Sequence, residues 1–177
     1  MVSGTPLRLR PLRAEDEAEF RRAHEIMAKE GFPFGLLFAP EAPWDSYLAM
    51  LEDHRHGVGL PDGWVPGTIL VADVGGTIVG RVSIRHQLND FLEREAGHIG
   101  YGVLPDFRRR GYATEILRQG LVIARSLGIG RVLVCCDDDN AASAAVIERC
   151  GGTLDSVIID SAGIPTRRYW ISGTRPR

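Results

Sequence analysis

The segment Val103 to Thr114 constrains this chain more than any other. An apolar strand end, Val103 and Leu104, meets Pro105. A basic turn, Arg108, Arg109 and Arg110, then passes through Gly111 into the helical pattern that starts at Tyr112. A strand that feeds straight into a helix leaves the first backbone N–H groups of that helix without partners, pointing at one spot. The helix dipole adds about half a positive charge there, so such a junction suits a phosphate group. Gly111 lets the backbone approach a ligand with no Cβ in the way, and Ala113 keeps the first helical turn small. The three arginines supply charge and bidentate donors, and Thr114 supplies a hydroxyl. The Gly-Lys-Ser/Thr ending of a P-loop is absent, and the glycines lack the spacing of a dinucleotide fingerprint. Taken alone, the same turn also reads as a solvated basic corner.

The pattern around this junction alternates strand and helix signals. Leu7 to Leu12 reads as a strand, and Ala14 to Glu30 as a helix closed by Gly31. Phe32 to Pro43 reads as a loop that packs near a substrate, and Asp45 to His56 as a second helix ended by Gly57. The β-branched runs Thr68 to Val74 and Thr77 to His86, joined by Gly75 and Gly76, form a hairpin signal. A strand over His98 to Leu104 and a helix over Tyr112 to Leu127 follow. Then come a buried-type strand over Arg131 to Asp137, a helix over Asn140 to Cys150, and a hairpin of Thr153 to Ile159 with Arg167 to Ile171. No linker or repeat interrupts this order, so residues 1–177 read as one mixed α/β domain.

Bulk properties narrow the function. A chain of 177 residues with 44% hydrophobic and 25% charged residues can build a folded core. A net charge of -2 gives no whole-surface attraction to nucleic acid, and no aromatic residues interleave with the arginine cluster. Cys135, Cys136 and Cys150 have no metal-ligand spacing and do not suggest a bridge, which points to a reducing, cytoplasmic setting and no metal. No apolar run approaches the ~18 residues of a membrane span, and Met1 to Arg13 has no apolar signal core.

The string Val103, Leu104, Pro105, Asp106, Phe107, Arg108, Arg109, Arg110, Gly111, Tyr112, Ala113 resembles motif A of the GNAT superfamily. That motif reads Gln or Arg, two residues, Gly, one residue, then Gly or Ala; Arg108, Gly111 and Ala113 fill it. The resemblance covers most of the chain and is sharpest from Gly97 to Gly152. The run Gly97, His98, Ile99, Gly100, Tyr101, Gly102 with Arg167, Arg168, Tyr169, Trp170 looks like a subgroup of bacterial acetyltransferases. The resemblance implies an α/β (α+β) GNAT fold: a mixed, mostly antiparallel central sheet, splayed between the strands at 98–104 and 131–137 and flanked by helices. It implies acetyl-CoA as co-substrate, its pyrophosphate on Arg108, Arg109, Arg110, Gly111, Tyr112, Ala113 and Thr114. Val103, Asn140 and Ser143 would meet its pantetheine arm. It further implies acetyl transfer to a primary amine of a small molecule or peptide by direct attack. The alternative is an acyl-CoA-binding or sensing module without catalysis. The family often forms homodimers, and the sequence carries no interface signature.

Many GNAT members place a tyrosine seven residues after the helix-opening Asn, to protonate the leaving thiolate. Counting from Asn140 gives Ile147. Tyr101 and Tyr112 are the candidate replacements. Candidate bases are His98 and Glu95, near the strand that lines the gap, with His86 and Asp137 at neighbouring strand ends. His98 also reads as an ordinary edge or core histidine. Asp137, Asp138 and Asp139 read as a solvated helix start, with attraction of a cationic amine as the sharper reading. Cys135 and Cys136 read as small core residues, and Trp44, Phe32 and Phe34 as core in preference to a substrate lid.

Overall fold

The structure is a computed structural model, and it describes residues 5–172. The outermost ends of the 1–177 span, including the first four residues of the N-terminal stretch, lie outside the described residues. The β-branched runs on either side of Gly75 and Gly76 fold back on each other as β2 (Gly67–Val74) and β3 (Thr77–Arg85), with Val74 opposite Thr77. β1 (Arg8–Arg10) pairs with the outer edge of β2, and β4 (Ile99–Val103) with the far edge of β3, all antiparallel. A second antiparallel sheet has the order β5 (Arg131–Asp137), β7 (Pro165–Ser172), β6 (Thr153–Ile159).

Helices cover both faces. On one side lie α3 (Tyr112–Ser126) and α4 (Ala141–Arg149), packed over Val82, Ile84, Ile99, Val132 and Tyr169. On the other lie α1 (Glu17–Ala28) and α2 (Trp44–His56), where Phe20, Phe34, Trp44 and Tyr47 pack with Val71 and Ile78 of the sheet. Phe34 and Trp44 are therefore core, as expected. Apolar burial of this kind on both faces, at roughly 25 cal/mol per Å², supplies the driving force.

The two sheets meet at one point. Gly97 bridges Val134, the His98 N–H donates to the Leu133 carbonyl at 2.7 Å, and the Leu133 N–H donates to His98 Nδ1 at 3.0 Å. Gly97 is required here: its φ is 69°, and a Cβ would lie 2.4 Å from the Leu133 carbonyl oxygen. Beyond this junction β4 and β5 share no ladder, so the sheet opens between them as the sequence led us to expect.

Element edges differ from the sequence reading where local chemistry intervenes. The first strand is trimmed to Arg8–Arg10. The helix expected from Ala14 begins as a 3-10 turn, Ala14–Asp16, because Asp16 accepts the Arg13 N–H at 2.7 Å and is pinned by Arg10. The last strand starts two residues earlier than expected, at Pro165. A π-helical turn, Leu92–Ala96, precedes the sheet junction and has no counterpart in the sequence reading.

Candidate active site

The loop between β4 and α3 has the geometry of an anion cradle. Arg109 has φ 63° and Gly111 φ 82°, while Arg110 between them is not left-handed. Alternation of this kind turns successive backbone N–H groups to one side. Gly111 is the N-cap of α3, no side chain caps the helix, and its first intrahelical bond runs from Glu115 N–H to the Gly111 carbonyl. The N–H groups of Tyr112, Ala113 and Thr114 are thus the free donors of a 15-residue helix. A Cβ on Gly111 would meet nothing within 4 Å, so the space in front of the loop is open.

Below the loop, the gap between β4 and β5 is a cleft of about 500 Å³. Val103, Arg108, Ala113, Asn140 and Ser143 line it, which brings together five of the expected cofactor contacts. The remaining five do not line it. Arg109 and Gly111 are exposed, and Tyr112 packs partly against the core. Arg110 donates to the Asp106 carbonyl at 3.0 Å and lies over Phe107, and Thr114 is buried in the first turn of α3. Arg108 is held in place twice over. Its Nε donates to the Val103 carbonyl at 3.0 Å, and its Nη atoms bind the Glu30 carboxylate, Nη1 at 3.1 Å. The Arg108 guanidinium in turn holds the Glu30 carboxyl below its ordinary range. Asn140 acts as the N-cap of α4: its Oδ1 accepts the Ser143 N–H at 3.0 Å, leaving its amide N–H donors free.

Tyr101 crosses the cleft. Its hydroxyl lies 2.9 Å from Ser143 Oγ, and burial pushes its pKa up to about 12, against the opposing pull of the Ser143 hydrogen bond. Tyr101 therefore remains a proton donor at neutral pH. Ile147, one turn further along α4, is fully buried in the core. His98 is buried at the sheet junction. Accepting the Leu133 N–H at Nδ1 uses one lone pair and places the ring proton on Nε2. Burial, with the nearby charge of Arg85, holds its pKa down. Glu95 sits on the π-helical turn beneath the β6–β7 connection, where it accepts Ser161 Oγ at 2.7 Å.

A second cavity, of about 210 Å³, lies on the face of the sheet that carries α1 and α2. Ser83 and Arg85 line it, because they alternate along β3 with the core residues Val82 and Ile84. Its remaining wall is mainly apolar and includes Leu36, Trp64, Val65 and Phe91. The cavity adjoins β4: a Cβ on Gly100 would lie 3.3 Å from Ser83 Oγ and 4.0 Å from Arg85 Nη1. On the same face, the Phe32 ring occupies the space above Gly102 and also lines the cofactor cleft. Phe32 is half-buried and packs against the α1/α2 core, in line with the core reading, while its ring also borders the cleft.

The sequence reading missed Glu30, Ser83 and Arg85. For Arg85 a signal existed: positions 81, 83 and 85 are polar in an otherwise apolar, β-branched strand. Among the described residues, no group of three or more His, Cys, Asp or Glu could hold a metal ion. No helix among them is long and apolar enough to cross a membrane.

Comparison with known proteins agrees with this architecture. RimJ from Mycobacterium smegmatis, solved with CoA-disulfide, superposes with TM-score 0.68 at 21% identity, covering 94% of this chain and 81% of that one. An acetyltransferase from Agrobacterium tumefaciens superposes with TM-score 0.61 at 25% identity, covering 95% and 92%. The microcin C7 self-immunity acetyltransferase MccE, solved with acetyl-CoA and AMP, gives 0.65 at 20% identity, covering 94% and 92%. No curated protein sequence gives a significant match. The family model described as acetyltransferase (GNAT) domain matches residues 6–153, which take in both the arginine loop and the splayed strands. The chain belongs to the GNAT acetyltransferase family.

Proposed function

We propose that this acyltransferase moves the acetyl group of acetyl-CoA to a primary amine by direct attack, with residues 1–177 acting as one domain. The observation that carries the reading is the cleft between β4 and β5, which opens beneath the uncapped N-terminus of α3. The pyrophosphate would rest on the N–H groups of Tyr112, Ala113 and Thr114 beside Gly111, with Arg108, Arg109 and Arg110 adding charge. The pantetheine arm would run along Val103 toward Asn140 and Ser143, all of which line the cleft. The relatives solved with acetyl-CoA or a CoA disulfide support this choice of ligand.

The thioester then lies toward the junction, between β4 at Gly100–Tyr101 and β5 at Cys135. The amine nitrogen attacks its carbonyl carbon from the α1/α2 face, where the second cavity adjoins Gly100. As the C–S bond breaks, Tyr101 gives its hydroxyl proton to the departing thiolate and regains one from solvent through Ser143. Holding both reactants in this geometry is itself a large part of the acceleration.

No residue is asked to act as base. His98 is reassigned from base to sheet junction, because its accepting nitrogen is already used by Leu133. Glu95 is bound to the β6–β7 connection and does not line either cavity. The attacking amine loses its proton to water. Acetyl-dependent thiol release with a panel of primary amines tests the reading.

A second reading, an acyl-CoA-binding module without catalysis, is favoured by one observation: Ile147 stands where many relatives carry the acid. Tyr101 answers it by presenting a hydroxyl from the opposite wall of the cleft.

A further inference from the structure

We infer that the acceptor carries a carboxylate and an apolar side group, as a free apolar amino acid does, and that Arg85 receives the carboxylate in the cavity beside Gly100. The inference rests on the transferase reading above and names its acceptor.

It starts from an imbalance of charge. Arg10, Arg21, Arg55, Arg108, Arg118, Arg167 and Arg168 each contact a carboxylate, most of them at the surface. Arg81 and Arg85, on one face of β3, do not, although they are among the most enclosed arginines. Arg81 is 3% exposed, and its Nε and Nη1 have no hydrogen-bond partner among the described residues. Among the described residues, its one side-chain hydrogen bond runs from Nη2 to the Pro33 carbonyl at 2.6 Å, and its guanidinium stacks on Phe32 at 4.6 Å. Burial and the facing charge of Arg85 push the Arg81 pKa down to about 10, so Arg81 stays charged at neutral pH, and burial also lowers that of Arg85. Two enclosed cations without an anion are unfavourable, and an anionic ligand relieves that.

Arg85 is the one placed to meet it. Its Nη1 donates to the carbonyls of Ala96 and Gly97, at 3.4 and 3.1 Å. This fixes the guanidinium and leaves its Nε and Nη2 without hydrogen-bond partners among the described residues, on a side chain that lines the cavity. The Nε–Nη2 edge is the fork that binds a carboxylate through two parallel hydrogen bonds. Ser83, two residues away on the same face, adds a hydroxyl. The rest of the wall carries His54 and Thr68 as polar members, and its larger part, including Leu36, Trp64, Val65 and Phe91, suits an apolar group. The cavity is small, about 210 Å³, and has one free fork, which favours a monoanionic carboxylate over a phosphate. With the carboxylate on Arg85, the adjacent amine lies toward Gly100 and the thioester. A peptide N-terminus has an amide at that position, which offers the fork one neutral acceptor in place of two anionic ones.

The test compares an acid with its amide. Calorimetric titration of 3-phenylpropionate and 3-phenylpropanamide into the protein with coenzyme A present is expected to show the acid binding at least tenfold more tightly. Arg85→Met is expected to erase the difference while acetyl-CoA affinity is unchanged. Acetyl transfer to phenylalanine should exceed transfer to phenylalanine amide by a similar factor. Equal binding of acid and amide to the wild-type protein overturns the inference whether or not the variant folds. If amines are acetylated without preference for the acid, the transferase reading stands and the acceptor assignment falls. If the acid is preferred but no amine releases thiol, the carboxylate pocket stands and the transferase reading falls.

Discussion

Tyr101 of β4 and Ser143 of α4 face each other across the cofactor cleft, with their hydroxyl oxygens 2.9 Å apart. The pair closes the end of the cleft where a leaving thiolate would need a proton. General acids typically contribute ~10² to 10⁴-fold. Tyr101→Phe is expected to lower kcat by at least about tenfold and leave KM for acetyl-CoA near its wild-type value. Ser143→Ala should have a smaller effect. Steady-state thiol release measures both. An unchanged kcat in Tyr101→Phe would remove the acid from the mechanism.

The rate should follow the amine and not a protein base. With an alkylamine acceptor, which ionises near pH 10 as a lysine side chain does, burial still holds Tyr101 protonated up to about 12. kcat/KM for acceptor is therefore expected to rise with pH along one ionisation and to keep rising through pH ~9. A plateau beginning near neutrality, lost in His98→Gln or Glu95→Gln, would restore one of those residues as base.

His98 is expected to act on stability. Removing its ring strands the buried Leu133 N–H, which typically costs about 1–3 kcal/mol. His98→Ala should lower the melting temperature more clearly than it lowers turnover per folded molecule. The pH dependence has a definite sign. His54, His86 and His98 all have pKa values lowered by burial. The unfolded chain therefore binds more protons than the folded one below about pH 6.5. Their contribution is fully present above that pH and is lost as pH falls toward the folded values. Thermal denaturation between pH 7.5 and 5 should show a falling Tm, less steep in His98→Ala.

Glu30 is expected to oppose cofactor binding. Its carboxylate occupies the Arg108 guanidinium at the mouth of the cleft. Both groups are more than a third exposed, so solvent screening keeps the effect small. Glu30→Gln should tighten acetyl-CoA binding a few-fold by freeing Arg108 and removing a negative charge near the phosphates. Weaker binding in that variant would mean that Glu30 positions Arg108 productively.

Much of the geometry of this candidate site was readable in the sequence because it is local. Arg108, Gly111 and Ala113 are neighbours, and a strand running into a helix fixes what their backbone does. Asn140 and Ser143 are likewise one helical turn apart. The roles that escaped depend on distant partners. His98 takes its function from Leu133 on another strand, and Arg108 is tied to Glu30 at the end of α1. The π-helical turn at Leu92–Ala96 closes on itself through the Gly97 N–H to the Leu92 carbonyl, but is held from another strand by Arg85, which reaches Ala96 and Gly97. The alternation of Arg81, Ser83 and Arg85 was visible, yet nothing local says which face of β3 would be left open.

Gly111 gives the sharpest structural test of the cofactor loop. Its φ of 82° excludes most side chains on conformational grounds, although a Cβ would meet no neighbour within 4 Å. Gly111→Val is expected to weaken acetyl-CoA binding more than tenfold, partly by strain of about 1–2 kcal/mol, without unfolding the protein. Calorimetry and thermal denaturation separate the two effects, and unchanged affinity would contradict the loop assignment.

The central claim is acetyl transfer itself. The most direct measurement is release of free thiol from acetyl-CoA by the purified protein with a broad panel of primary amines, free amino acids included. The expected result is amine-dependent thiol release, matched by the acetylated amine and reduced in Tyr101→Phe. Tight acetyl-CoA binding with no thiol released above background for any amine would contradict the account.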